Sequence, residues 1–510
     1  MIPHIDRTRF AVLLVAATVA TYLLIALGTA VSTTGSAGSC TTWPSCESGW
    51  ALGPVTGDAL LFWSHRAAAL VAGVLLVATA FAARRLDVDG YTRAGIATAL
   101  VLYPIQVGVG AALVVRESAL AGTVHLALAM VIFAALLVPL VRNLEVLTDE
   151  RQAIDAGGAR APDPAPVGAD AGPESATADP VDVESATGSL PSDPVDADGA
   201  PEPADEPEPI ERPDGRAARL RQTAGAYLAL TKPRLMWLLC LVALAGIGLA
   251  TVTGATVSLG TVVATLLGGV LAIGASGTFN HVYERDRDRK MQRTSDRPLV
   301  HQLVPVRNAV AFGAGLVAAS AAVMLVWVNV LATVLTMAAI AYYVLLYTVL
   351  LKPTTSWNTV LGGGAGALPA LIGWAAVTGD VGLPAIALAA VIFLWTPAHF
   401  YSLAIAYKDD YARGGFPMFP VVAGERRARR HIVGYLGATL LAASFLGWVA
   451  GLGWFYALVS VVLGVVFLRS VVRQYLEPTT ERALRSFYVS NYYLGAILVA
   501  IVVETGLAAV

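Results

Sequence analysis

The feature that most constrains this chain is a series of apolar runs, each long enough to cross a bilayer. They lie near residues 10–31, 59–83, 94–115, 119–141, 235–254, 257–279, 306–328, 330–351, 357–377, 382–406, 431–450, 453–470 and 487–508. A spanning helix needs about 20 such residues. In hydrocarbon each run must satisfy its own backbone polar groups, so the expected fold class is all-α and polytopic, with the lipid bilayer as surroundings. A composition that is 56% hydrophobic and 14% charged, with a mean hydropathy of +0.66, excludes a string of soluble domains. The first run, from Phe10 to Val31, is too long for the apolar part of a cleavable signal and reads as a retained anchor.

The runs fall into a block of four (1–148) and a block of about nine (217–510), separated by a tract at 149–216. That tract is rich in Asp, Glu, Pro, Ala and Gly and lacks aromatics. It cannot bury enough apolar surface to offset chain entropy and reads as a disordered acidic linker. If the helices alternate, most Arg and Lys clusters fall on one side, which the positive-inside rule makes the cytoplasm. The expectation is a multi-pass protein of the cell membrane with the linker inside and the loop carrying Cys40 and Cys46 outside. No nucleic-acid partner is expected.

The run near 257–279 ends in "NHVYERDRDRK", residues 280–290. At roughly 100° per residue, Asn280, Glu284 and Asp288 drift by only about 80°, so a continued helix presents all three on one face. Ten charges lie between Glu284 and Arg297. At a helix centre they would cost about 25–35 kcal/mol, which places them at the interface or in a wet cavity. Oxygen ligands without thiolate or imidazole suit Mg²⁺, and the interleaved Arg285, Arg289, Lys290, Arg293 and Arg297 offer donors to phosphate. Taken alone, the stretch reads equally as a basic loop whose carboxylates balance its arginines.

A second polar knot, "TPAHFYSLAIAYKDDYARGGFPMFP" at 396–420, follows the sixth run of the larger block as the first knot follows the second. This is the pattern of a four-helix unit used twice, with a site between the repeats. His399 and Asp410 would align on a continuous helix, approximately so because of Pro397.

With these pieces in place, residues 220–508 resemble the UbiA-type intramembrane prenyltransferases, in particular the protohaem IX farnesyltransferases (haem O synthases). The resemblance rests on "LTKPRLMWLL" (230–239), "NHVYERDRDRKMQRTSDRPL" (280–299), "GGGAGALPALIGWAAVTG" (362–379), "FLWTPAHFYSLAI" (393–405) and "DDYARGGFPMFPVVAG" (409–424). Asn280, Glu284 and Asp288 occupy the positions of the family motif N-x3-D-x3-D, with Glu284 in place of an aspartate. What the resemblance implies is a transferase of haem biosynthesis, moving a farnesyl group from farnesyl diphosphate to a vinyl group of haem b with magnesium. By motif position Asn280, Glu284, Asp288, Asp409 and Asp410 are the expected catalytic and metal-binding residues. Lys232, Arg293, Arg297, Lys352 and Lys408 are the candidate diphosphate donors. His399 stands where relatives acting on phenolic acceptors carry an acid, and suits haem as a ligand or hydrogen-bond partner. The glycines at 362–366 read either as a slot for an isoprenoid tail or as ordinary helix packing. Two other readings stay open: prenylation of a quinone precursor or lipid acceptor, and a non-enzymatic haem-binding or electron-transfer membrane protein. The second leaves Asn280, Glu284 and Asp288 without a task.

In the first block, His65 and His125 sit near the starts of helices that run inward, at one depth, as a bis-histidine haem site requires. The stretches "STTGSAGSCTTWPSC" (32–46), "FWSHRAAALVAG" (62–73) and "GTVHLALAMVIFAALL" (122–137) resemble one half of the haem A synthases, which oxidise a methyl of haem O to a formyl. The resemblance implies haem binding by His65 and His125 and an outward cysteine pair, Cys40 and Cys46, able to form a disulfide. Those synthases often carry a glutamate three residues before the first haem histidine. Here that residue is Phe62 and the nearest acid is Asp58, which leaves oxidation of haem O toward haem A open. A half-sized bundle implies self-association or a haem-holding role, with terminal-oxidase assembly factors as other partners. Joining two modules on one chain raises the effective concentration of one at the other.

Overall fold

The structure is a computed structural model that describes residues 6–36, 43, 57–115, 119–158 and 214–508. Cys40, Cys46 and residues 159–213 of the acidic tract lie outside the described residues. Among the described residues thirteen helical segments are long and apolar enough to cross a membrane, and there is no strand. The chain is a multi-pass membrane protein.

The first block comprises α1 (Arg7–Thr33), α2 (Asp58–Arg85), α3 (Gly90–Val115) and α4 (Ala119–Gly158). Asp6 caps α1 by accepting from the Arg9 N–H at 2.7 Å, and Asp89 caps α3 through the Thr92 N–H at 2.9 Å. Helix α4 overruns the expected start of the acidic tract and ends only at Gly158.

The second block opens with a short helix that carries no apolar run, α5 (Arg216–Leu230). Its Ala226 and Leu230 pack on Leu299, Val304 and Ala309. The spanning helices follow: α6 (Pro233–Thr251), α7 (Leu259–Asp288), α8 (Val306–Trp327) and α9 (Val330–Ala341). Helix α9 runs on as a π-helical stretch, Tyr342–Leu351, into α10 (Lys352–Thr354). Then come α11 (Asn358–Thr378), α12 (Leu383–Ala406), the short α13 (Lys408–Arg413) and α14 (Phe419–Ala423), and α15 (Glu425–Val449), α16 (Trp454–Leu476) and α17 (Thr480–Ala508). The four-helix unit expected twice from the sequence would correspond to α6 to α9 and to α11, α12, α15 and α16; α17 packs against α6, α12 and α16. Small residues set the crossing of α6 and α11: a Cβ on Gly373 would lie 2.0 Å from the Ala243 carbonyl oxygen, and one on Gly246 2.4 Å from that of Ala370. Backbone contact of this kind is how membrane helices gain packing energy without a hydrophobic driving force.

The membrane helices of both blocks belong to one compact unit. Helices α1 and α4 make the join, α1 packing on α15 and α16 and α4 meeting α15 through Leu137. The Tyr22 hydroxyl and Ser460 share a hydrogen bond of 2.7 Å, Thr33 Oγ1 donates to the Leu452 carbonyl at 2.9 Å, and Gly437 leaves room for Leu137. Accordingly 61% of the most apolar window of α1 is buried, against 11% for α3.

Candidate active site

The acidic face of α7 is built from the helix outward. Ser258 caps its first turn, and the helix continues unbroken through the charged stretch to Asp288. Asn280, Glu284 and Asp288 therefore do share a face, and each is about 1% exposed. Cations from three other segments meet them. Lys232 Nζ donates to Asn280 Oδ1 at 2.5 Å, Lys352 Nζ to Glu284 Oε1 at 2.5 Å, and Arg297 Nη1 to Asp288 Oδ2 at 2.5 Å, while Arg297 also stands 3.7 Å from Glu284. The Asn280 amide donates to Thr348 Oγ1 at 3.2 Å. Asp288 Oδ1 is buried and has no partner.

Lys232 reaches this face from the elbow between α5 and α6, where it holds a left-handed backbone, φ 55°. Gly277, one turn before Asn280, makes room: a Cβ there would lie 2.9 Å from the Leu230 carbonyl oxygen and 3.3 Å from Lys232 Cγ. Strain of this kind collects at functional sites. Burial, reinforced by Arg297, pushes the Lys232 ammonium down to about 7, so an incoming anion would favour its protonated form.

The second knot is arranged differently. Tyr407 leaves helical geometry (φ −116°, ψ 33°), so α12 and α13 are separate and the alignment of His399 with Asp410 expected of a continuous helix does not occur. Asp410 Oδ1 accepts from the Gln292 N–H at 3.1 Å and from Arg413, and Oδ2 from the Arg293 N–H at 3.0 Å. Burial raises the Asp410 carboxyl, but the two N–H donors and Arg413 outweigh it and hold it below the ordinary carboxylate range. Asp410 thus clamps the loop that follows α7. Asp409 is exposed. Arg293 completes the clamp, donating to the Tyr411 hydroxyl at 3.1 Å. Lys408 pairs with Glu425 at 3.4 Å. His399 faces α17: its ring stacks between Trp395 and Phe487, each 4.2 Å away, and Nδ1 shares a 2.7 Å hydrogen bond with Ser490.

The structure therefore brings Asn280, Glu284, Asp288, Lys232, Arg297 and Lys352 together, places Arg293 and Asp410 at their edge, and leaves Asp409, Lys408 and His399 outside. Among the described residues no three His, Cys, Asp or Glu side chains stand together as a metal cage. One of the three groups on α7 is an asparagine, and the other two are held by cations.

Residues 239–494 match the UbiA prenyltransferase family. A "Protoheme IX farnesyltransferase" of Haloarcula marismortui is 49% identical over 509 residues, 98% of this chain and 99% of its own. The chain belongs to the protohaem IX farnesyltransferase family. It is a prenyltransferase, and as in that relative the match runs through both blocks. A "Protoheme IX farnesyltransferase 1" of Natronomonas pharaonis is likewise 49% identical, over 98% of this chain and 99% of its own. Among solved structures the chain is similar to a digeranylgeranylglyceryl phosphate synthase, with TM-score 0.47 and 14% identity over 56% of this chain and 99% of that one.

Around the site of this farnesyltransferase family member stand residues that the motifs did not single out. Tyr343 lies 3.4 Å from Lys232 Nζ, and Phe416 lies under Lys352 with 4.3 Å between Nζ and the ring centroid. His281 is buried beside Asn280 with Nδ1 unpartnered. A signal for Tyr343 was present: Tyr343 and Tyr347 stand nine and five residues before Lys352 within an apolar run, where polar rings are out of place unless they meet something polar. Gly362 and Gly364 receive the rings of Tyr347 and Tyr342, so the glycine run serves close packing against that stretch.

In the first block His65 meets Gly28 of α1 and His125 meets Gly110 of α3. A Cβ on either glycine would come within 3.1 and 2.9 Å of the imidazole Cε1. Both Nδ1 atoms are buried without a partner. Phe62 is buried, and the Arg66 guanidinium lies 4.2 Å from its ring centroid.

Proposed function

We propose that the buried acidic face of α7 is where this enzyme binds the diphosphate of farnesyl diphosphate through Mg²⁺, and that the farnesyl group passes to a vinyl group of haem b. The observation that carries this reading is the unpartnered Asp288 Oδ1 beside the Asn280 and Glu284 oxygens, an all-oxygen donor set of the kind hard cations take. Asn280, Glu284 and Asp288 would hold the metal. Bound there, Mg²⁺ supplies charge neutralisation of the leaving diphosphate.

The chain's own residues do the rest. Lys232, Lys352 and Arg297 now pair with side chains on α7, and turning to phosphate oxygens exchanges one set of charge-assisted bonds for another. The allylic C–O bond breaks with its electron pair leaving on diphosphate, the vinyl π electrons form the new C–C bond, and the cation left on the porphyrin-bound vinyl carbon is closed by water, which adds its oxygen and releases a proton. Tyr343, Tyr347 and Phe416 line the approach with aromatic rings that exclude water and favour a developing cation. His399, boxed between two rings and bonded to Ser490, supports a role in shaping the acceptor's surroundings. The basic ends of the helices would face the cytoplasm of the cell membrane.

For the first block we propose a haem-holding module. The Nδ1 atoms of His65 and His125, buried without a partner on rings packed against glycines, support it. Phe62, capped by Arg66, offers no acid at the position where oxidation of haem O toward haem A would use one.

Purified full-length protein should release diphosphate from farnesyl diphosphate only when haem b and Mg²⁺ are both present, and mass spectrometry should show a farnesylated haem. Release that ignores haem but responds to a phenolic acceptor would replace the acceptor assigned here. His65→Ala should remove a Soret band from the visible spectrum and leave diphosphate release in place.

A further inference from the structure

We propose that the first block positions the second acidic knot through a relay of charged and hydroxyl groups that runs from the buried Glu145, Tyr475 and Arg429 to the half-exposed Glu425 and Lys408, with Glu145 of α4 as a positioning residue for substrate binding. The inference rests on the transferase reading of the site. Glu145 is only 9% exposed, and one of its oxygens, Oε1, accepts from Arg430 Nε at 2.7 Å and from the Tyr475 hydroxyl at 3.3 Å. Tyr475 has the Arg429 guanidinium 5.9 Å from its ring centroid, and Thr148 of α4 donates to the Tyr475 carbonyl at 3.2 Å. Arg429, itself buried, donates to Glu425 Oε2 at 3.3 Å, and Glu425 Oε1 accepts from Lys408 at 3.4 Å. Lys408 opens α13, the helix whose Asp410 clamps the loop after α7. A continuous set of contacts thus links α4, through the first turns of α15, to the rim of the diphosphate site.

The charges give the relay a direction. Glu425 divides its carboxylate between Lys408 and Arg429, while the neighbouring Arg430 is paired with Glu145. With the charge of Glu145 removed, two adjacent guanidiniums compete for Glu425 and Lys408 loses its tie. The clamp made by α13 then loosens, and the loop carrying Arg293 and Arg297 is less ordered when substrate arrives. A buried carboxylate with several donors is costly to desolvate, and a purely packing role would be served as well by an apolar side chain.

The test is steady-state release of diphosphate by full-length variants in lipid nanodiscs. Glu145→Gln and Glu425→Gln are each expected to raise the KM for farnesyl diphosphate about three- to tenfold with kcat changed less than twofold. The double variant should be no worse than the weaker single, the signature of one shared relay. Exchanging charges, Glu145→Arg with Arg430→Glu, should restore the KM. Asp149→Asn, which breaks the solvent-exposed pair with Arg426, should change KM less than twofold. An unchanged KM in Glu145→Gln, additive effects in the double variant, or only a uniform loss of active protein would overturn the relay. Wild-type protein that releases no diphosphate would instead overturn the transferase reading on which it rests.

Discussion

The two acidic knots follow the second and sixth spanning helices of the larger block, one at the end of α7 and one after α12, yet their carboxylates are engaged in opposite ways. On α7 the partners are side chains: Lys232, Lys352 and Arg297 sit at the ends of flexible stems and can turn to a new anion. At Asp410 two of the partners are backbone N–H groups of Gln292 and Arg293, which cannot leave without moving the chain. Side-chain pairs can be exchanged for a ligand; backbone pairs fix a loop. A corresponding place along the chain thus comes without corresponding electrostatics, and the first knot is where the proposed metal and diphosphate would be received.

The sharpest way to break this contrast is to neutralise both. Asp288→Asn is expected to lower kcat about 10²- to 10³-fold, the loss typical when one preorganised charge interaction at the leaving group is removed. Equal loss in Asp410→Asn would make the two knots equivalent. Next in size is Lys352→Met, which strands the Glu284 carboxylate, 1% exposed, without its nearest cation. Breaking a buried pair costs about 3–5 kcal/mol, so the variant should melt earlier. Because the freed carboxylate is then open to a divalent ion, added Mg²⁺ should raise the melting temperature of Lys352→Met more than that of the wild type. A smaller effect, about tenfold in kcat/KM, is expected for Asp410→Asn. It should come with faster amide exchange in residues 289–305, as charge-assisted bonds worth about 1.5–3 kcal/mol become neutral ones.

What could be read from the sequence follows the same division. The spanning helices were legible because the bilayer demands long apolar runs, and the face shared by Asn280, Glu284 and Asp288 was legible because a helix has a fixed angular step. The break at Tyr407 was not, since no proline or glycine marks it, and it separates His399 from Asp410. Helix α5 was missed because Arg216, Arg219 and Arg221 interrupt its apolar residues, leaving no run long enough to span, and it buries only Ala226 and Leu230. The packing of α1 on α15 and α16 left no sign in its pattern either, since a helix in lipid is apolar on every face and lacks the polar stripe that marks the outside of a soluble one. Phe416 lies far along the chain from Lys352, and nothing local tells a ring that roofs a charge from one that fills a core.

Asp409 sharpens the comparison at its finest. It neighbours Asp410 on a helix of only six residues, and a step of roughly 100° turns it away from the side that meets the loop. It is exposed where Asp410 is buried. An exposed carboxylate beside Lys408 and Arg413 acts on the site only through water, where screening leaves about 0–1 kcal/mol for such a contact. Asp409→Asn should therefore change kcat less than about threefold, and that change should fade with added salt. A loss that matched Asp288→Asn and resisted salt would mean that α13 rotates when substrate arrives and brings Asp409 to the metal. The second knot would then be a ligand set assembled on binding, and the contrast drawn from the present arrangement would describe only the enzyme before it.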